Sequence, residues 1–84
     1  MLKLKIVTPE RIAYDGEVRS VLVPGTMGQF EILTGHAPII SSLGKGIVEY
    51  ANDDGKQQIQ VSGGFVAVQK NEVSICVEVD EQTE

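Results

Sequence analysis

His36, Glu31, Ser41 and Ser42 sit close together in the chain and carry the side-chain types of acid–base and nucleophilic chemistry. His36 is the only histidine. A zinc site built on it needs carboxylates such as Glu31 for the remaining ligands, and no ligand spacing supports one. A Ser–His pair works only when the serine is held on a strained elbow and a third group orients the base. Ser41-Ser42 follows Ile39-Ile40 and precedes Leu43, which is a strand-like setting and no elbow. His36 therefore reads as a loop residue hydrogen-bonded to backbone. Gly25-Thr26-Met27-Gly28 has the glycines of a phosphate-cradling nest, but it lacks the Gly-Lys-Ser/Thr of a phosphate loop and no helix follows. A glycine turn before a strand is the better reading. Cys76, the only cysteine, stands between Ile75 and Val77 without the electropositive neighbours a reactive thiol needs. It reads as part of a second packed face. These residues exclude chemistry more than they specify it: the expectation is a chain that is not an enzyme and takes no cofactor or metal.

The elements that position these residues centre on the stretch from Pro24 to Leu43. It holds two of the three prolines, three of the nine glycines and one of the two phenylalanines. Pro24-Gly25 reads as a turn, since Pro fixes φ and Gly accepts φ > 0. Gly28 permits a second bend. Phe30, Ile32 and Leu33 follow as a short apolar strand. Gly35-His36-Ala37-Pro38 reverses the chain again, and Pro38 pushes Ala37 toward an extended conformation. One strand is thus bracketed by two shaped loops.

Around this stretch the sequence alternates. Leu2, Leu4 and Ile6 alternate with Lys3 and Lys5, the period of a half-buried strand. Ile12-Ala13-Tyr14 reads as a short extended piece closed by an Asp15-Gly16 turn. Glu17 to Val23 reads as a strand whose alternation slips near Ser20, where a bulge would bring Val18 and Val21 to one face. Ile47 to Tyr50 and Gln57 to Val61 flank Asn52-Asp53-Asp54-Gly55-Lys56, a hairpin signal. Ser62-Gly63-Gly64 reads as a tight corner before Phe65-Val66-Ala67-Val68. Val73, Ile75, Val77 and Val79 alternate on the last strand. No segment carries a helical stripe, and about nine short strands with frequent turns argue for an all-β sandwich or barrel.

Eighty-four residues allow one domain, 1–84, with residues 80–84 as an acidic tail. A chain of this length buries only ~60–65% of the surface its unfolded form exposes, so its stability margin is thin. No apolar run is long enough to span a membrane as a helix. The opening alternation is not that of a signal peptide. Net charge is −5 and the seven basic residues are scattered, which argues against nucleic-acid binding. The lone cysteine rules out an internal disulfide and fits a reducing compartment.

The run Pro24-Gly25-x-x-Gly28-x-Phe30-x-Ile32-Leu33-x-Gly35-His36-Ala37-Pro38-Ile39-Ile40-Ser41-x-Leu43-x-x-Gly46 resembles the N-terminal domain of the epsilon subunit of rotary ATP synthases. So do Leu4-x-Ile6-Val7-Thr8-Pro9-Glu10, the Tyr14-x-Gly16 pair, and Ser62-Gly63-Gly64-Phe65-Val66-x-Val68. The match covers nearly the whole chain in order. Three positions depart from the family pattern: Glu31 stands where Gly is usual, Thr34 where Pro is usual, and Gln29 where an acidic residue is common.

The resemblance implies a ten-stranded β-sandwich of two five-stranded sheets. It implies a non-catalytic place on the central stalk, against the gamma subunit and the ring of c subunits, on the cytoplasmic face of a bacterial inner membrane. There the domain couples ring rotation, driven by protons or sodium ions, to ATP synthesis. Loops on a rigid sheet are where binding residues concentrate, so Thr26, Met27, Gln29, Glu31 and His36 are the expected partner contacts. Gly25, Gly28, Gly35, Pro38, Gly63 and Gly64 are the expected structural turn residues. An acidic surface suits basic polar loops on a partner, through steering more than affinity. Longer family members add two C-terminal helices that act as a brake and in some cases bind ATP. Such a hairpin needs roughly thirty residues with an apolar stripe, and Asp80-Glu81-Gln82-Thr83-Glu84 offers none. The expectation is a sandwich without a helical arm or nucleotide site. The competing reading is a lipoyl- or biotinyl-type carrier domain presenting Lys56 at a hairpin tip, but Gly55 and Gln57 do not fit that motif. A sandwich-type binding module of other specificity is the second rival.

Overall fold

Alternation decides the architecture. In the computed structural model, which describes residues 1–79, strand β1 (Leu2–Val7) buries Leu2, Leu4 and Ile6 completely and exposes Lys3 and Lys5. Strand β8 (Glu72–Val79) buries Val73, Ile75 and Val77 in the same rhythm. The two run parallel, with Leu4 beside Val73 and Ile6 beside Ile75, so their apolar rows merge into one face. Parallel neighbours need a long crossover, and here the rest of the domain supplies it. The acidic tail expected at 80–84 lies outside the described residues.

Strand β2 (Ile12–Val18) pairs antiparallel with β1. On the other side β8 pairs with the second half of β7 (Gly55–Gln69), which in turn pairs with β5 (Ile39–Leu43). This layer reads β2-β1-β8-β7-β5. The opposing layer holds β4 (Gly28–Leu33), β3 (Ser20–Gly25), β6 (Gly46–Asn52) and the first half of β7. Val21, Val23, Ile32, Val48 and Val61 project from it and meet the β1 and β8 rows at zero exposure or close to it. The core is thus aliphatic, with Tyr50 at its margin.

The domain is an all-β sandwich, with no helix among the described residues. It has eight strands there and not ten. The main reason is β7. Gln57–Val61 and Phe65–Val68, which read as two strands around a corner, are one strand of 15 residues that belongs to both layers. It bends at an extra residue: Val61 pairs with Val79 and Gly63 with Glu78, so Ser62 is bulged out and donates its hydroxyl to the Glu78 carbonyl at 3.2 Å. Asp15-Gly16 is likewise no turn, because β2 runs through it and pairs with β1 at both positions. The irregularity expected at Ser20 is a change of layer at Arg19. Val18 pairs with Leu2, while Ser20 pairs with Leu33 and Ala51. Val18 and Val21 are both buried because each faces the core from its own layer, and no bulge is required.

Tyr50 is 6% exposed, and its ring centroid lies 4.4 Å from that of Tyr14. Burial, and secondarily Tyr14, hold its phenol above the ordinary value of 10.0. The folded state therefore resists losing this proton, while the unfolded chain releases it near pH ~10. The stability contribution is complete below that pH and is lost as pH rises through the folded-state pKa. Tyr50→Phe should flatten the alkaline limb of a melting-temperature profile. A limb as steep as that of the parent would contradict the assignment.

Candidate functional site

The β3–β4 hairpin builds one end of the domain. Its strands pair from Ser20–Leu33 to Gly25–Gly28, which leaves Thr26 and Met27 as a two-residue turn. Pro24-Gly25 therefore closes β3 and is not itself the turn. Gly28 has φ +133°, a conformation that side-chain-bearing residues avoid. At Gly25 a Cβ would stand 2.7 Å from the Gly28 carbonyl oxygen and 2.9 Å from the Phe30 ring, so only hydrogen fits. Met27, at the tip, is 98% exposed.

This tip is braced by the Gly44-Lys45 turn between β5 and β6, a turn legible from its glycines although its contact with the tip was not. Gly44 N–H donates to the Pro24 carbonyl at 2.8 Å, and Thr26 N–H donates to the Ser42 carbonyl at 3.1 Å. The Thr26 and Ser42 hydroxyls are bonded at 2.9 Å. Between the turns lies an open cleft of about 600 Å³, lined by Pro24, Gly25, Thr26, Gln29, Gly44, Lys45, Gly46 and Ile47. The Gly44-x-Gly46 spacing was the available signal. Its partners, however, are backbone groups that no side-chain pattern reports.

His36 lies elsewhere. The loop 34–38 joins β4 to β5 at the opposite end of β4. That strand has six residues, which separates the two loops by roughly 20 Å at about 3.3 Å per residue. His36 N–H donates to the Leu33 carbonyl at 3.0 Å, and Gly35 N–H donates to Asn71 Oδ1 at 2.8 Å. Gly35 has φ +87°. The imidazole Nδ1 is 2.7 Å from the Ala37 carbonyl oxygen, and the ring lies 6.3 Å from that of Phe30. Of the five expected contact residues, Thr26, Met27 and Gln29 are brought together at the tip. Glu31 is exposed midway along β4, and His36 belongs to the loop at the far end, with its ring turned back toward Phe30.

A second surface covers the outward face of the β2-β1-β8-β7-β5 layer. Phe65 pairs with Cys76, and Cys76 with Val7. A groove of about 460 Å³ runs over them, continued by Thr8, Pro9 and Glu78. Phe65 is 50% and Ile40 is 80% exposed. Lys56 is a strand residue past the turn of its hairpin, 3.7 Å from Glu49 Oε2. Among the described residues no three His, Cys, Asp or Glu side chains gather into a metal-binding group. What the arrangement offers is shaped surface on a rigid frame.

The family model of the ATP synthase delta/epsilon chain β-sandwich domain matches residues 1–83. The chain belongs to this family. An ATP synthase epsilon chain of Leptospira interrogans is 43% identical over 77 residues, covering 92% of this chain and 61% of that one. An epsilon chain of a Synechococcus species is 39% identical over 83 residues, covering 99% of this chain and 61% of that one. Among solved structures, a chain of the Euglena gracilis mitochondrial ATP synthase, in an assembly of OSCP, F1 and c-ring, superposes with TM-score 0.84. It is 26% identical, over 90% of this chain and 49% of that one. This delta/epsilon sandwich thus spans about three-fifths of the length of the curated relatives it matches. No helix among its described residues is long and apolar enough to cross a membrane.

Proposed function

We propose that this delta/epsilon sandwich is a non-catalytic rotor part of a proton- or sodium-translocating ATP synthase. It holds the gamma subunit and the c-ring together so that ring rotation reaches the catalytic head. Kinship with epsilon chains over residues 1–83 carries this reading. The braced hairpin end supports it, because a contact that transmits torque needs a tip that does not yield. The Thr26–Met27 turn with Gln29 faces the polar loops of the c subunits. The His36 loop, at the other end of β4, lies toward the stalk. The domain works at the cytoplasmic face of a bacterial inner membrane, held there through its partners and without a nucleotide or metal of its own.

The test is disulfide trapping in the assembled enzyme. Gln29→Cys should cross-link to a cysteine placed in the polar loop of a c subunit. Absence of any cross-link from cysteines at each position from Thr26 to Glu31 would overturn the ring contact.

A further inference from the structure

Among the described residues β2 pairs only with β1 and so forms an edge of its layer. An edge strand offers unpaired N–H and C=O groups to any chain that can lie beside it. The register shows where. Lys3 N–H donates to the Asn71 carbonyl, on the β8 side. Along a strand the N–H and C=O of one residue point the same way, and antiparallel pairs alternate between bonded and non-bonded. At the pair Lys3–Glu17 the two strands therefore do not bond each other. Glu17 turns both its backbone groups to the free edge.

That carbonyl already has a partner. Tyr14 Oη donates to it at 3.2 Å, and Asn52 Nδ2 donates to the same hydroxyl at 3.3 Å. Tyr14 and Gly16 pair with Ile6 and Leu4, both fully buried, so their positions face the core. The Tyr14 ring packs on Tyr50 of the opposing layer and reaches Glu17 by lying across Gly16. A Cβ at Gly16 would stand 3.0 Å from the Tyr14 oxygen and 3.2 Å from its Cζ. The ring is thus pinned between the layers while its hydroxyl reaches the edge. Any side chain at Gly16 presses on that hydroxyl.

We infer that Tyr14, seated on Gly16, guards the β2 edge against strand addition by a second copy of this chain. Its hydroxyl competes for the carbonyl that an incoming strand needs, and Asn52 holds it there. Ile12, 53% exposed at the start of β2, is the apolar neighbour such a strand would cover. This role is independent of the rotor reading.

Sedimentation equilibrium of the 84-residue chain over a range of concentrations tests it, with circular dichroism as the check on folding. The parent should stay monomeric. Gly16→Val, which displaces the ring, should approach twice the monomer mass as concentration rises. Tyr14→Phe, which keeps the ring and removes only the hydroxyl, should do so more weakly. Adding Glu17→Pro deletes an N–H that faces the free edge, where proline is tolerated, and should restore the monomer. Folded variants that remain monomeric overturn the inference. So does association that survives Glu17→Pro, or a parent that already associates through β2. If Gly16→Val does not fold, Tyr14→Phe decides the matter alone.

Discussion

Gly64→Val should abolish cooperative thermal unfolding, or lower the melting temperature so far that little native protein remains. Gly64 lies inside β7 with strands on both sides, opposite Val77 of β8 and Leu43 of β5. Its φ is +148°, which L side chains rarely adopt. A Cβ there would overlap the Cys76 carbonyl oxygen and come within 2.7 Å of Val77 Cα and 2.8 Å of its Cγ1. Two of these three atoms are backbone of a paired central strand and cannot rotate aside. Backbone strain costs about 1–3 kcal/mol, and forcing extra atoms into packed space costs about 1–3 kcal/mol more. A chain of 84 residues has only roughly 4–13 kcal/mol to lose, at ~0.05–0.15 kcal/mol per residue. Gly63 is the internal control. A Cβ at that position would meet only the Leu43 carbonyl oxygen, at an ordinary 3.7 Å. Gly63→Ala should melt within a few degrees of the parent. A Gly64→Val protein that melts like Gly63→Ala would show that the two strands part more easily than their register implies.

The glycine pair also shows where sequence reasoning stops. Side by side, Gly63 and Gly64 read as one corner, and both were expected to be structural turn residues. Only the register separates them, since Gly64 faces β8 closely and Gly63 does not. The rows of β1 and β8 were legible because period-two alternation reports a half-buried strand directly. The course from Ile12 to Val23 was not. There the buried residues belong to two layers, and a change of layer at Arg19 resembles a slip of phase within one strand. The tip was half legible. Gly28 marks the turn by its type, but the brace from Ser42 and Gly44 runs through carbonyls and N–H groups that every residue has. The His36 loop was legible as a second loop, because turn residues bracket the apolar run from Phe30 to Leu33 on both sides. The strand between the two loops carries them to opposite ends.

Ile32→Ala should have the second largest effect, and it joins stability to the proposed contact. Among the described residues β4 pairs only with β3. Of its six residues, Ile32 alone is fully buried; Phe30 is half-buried and Leu33 is 51% exposed. Ile32 is therefore the main anchor of the strand that carries Gln29 and closes the hairpin, with the half-buried Phe30 packed against the core beside it. Truncating a buried Ile to Ala costs about 2–5 kcal/mol, more where the cavity cannot collapse. Val21 pairs with Ile32, and valines of both layers belong to the same buried cluster; branched side chains re-pack poorly, so ~3–4 kcal/mol is expected. In a domain of this size that lowers the melting temperature by more than about 10 °C. The loss should also be uneven. An edge strand deprived of its anchor opens locally before the whole domain does. Hydrogen exchange should then rise first at the β4 amides and only later in β1 and β8. With the tip no longer held, the Gln29→Cys cross-link to the ring should weaken in the Ile32→Ala background. Leu33→Ala, one residue away and exposed, should change stability by no more than ~0.5 kcal/mol and leave the cross-link intact. Equal melting temperatures for the two variants would mean that β4 is held by its ladder to β3 and not by Ile32. Uniform exchange across all strands in Ile32→Ala would mean that the hairpin cannot open apart from the rest of the sandwich.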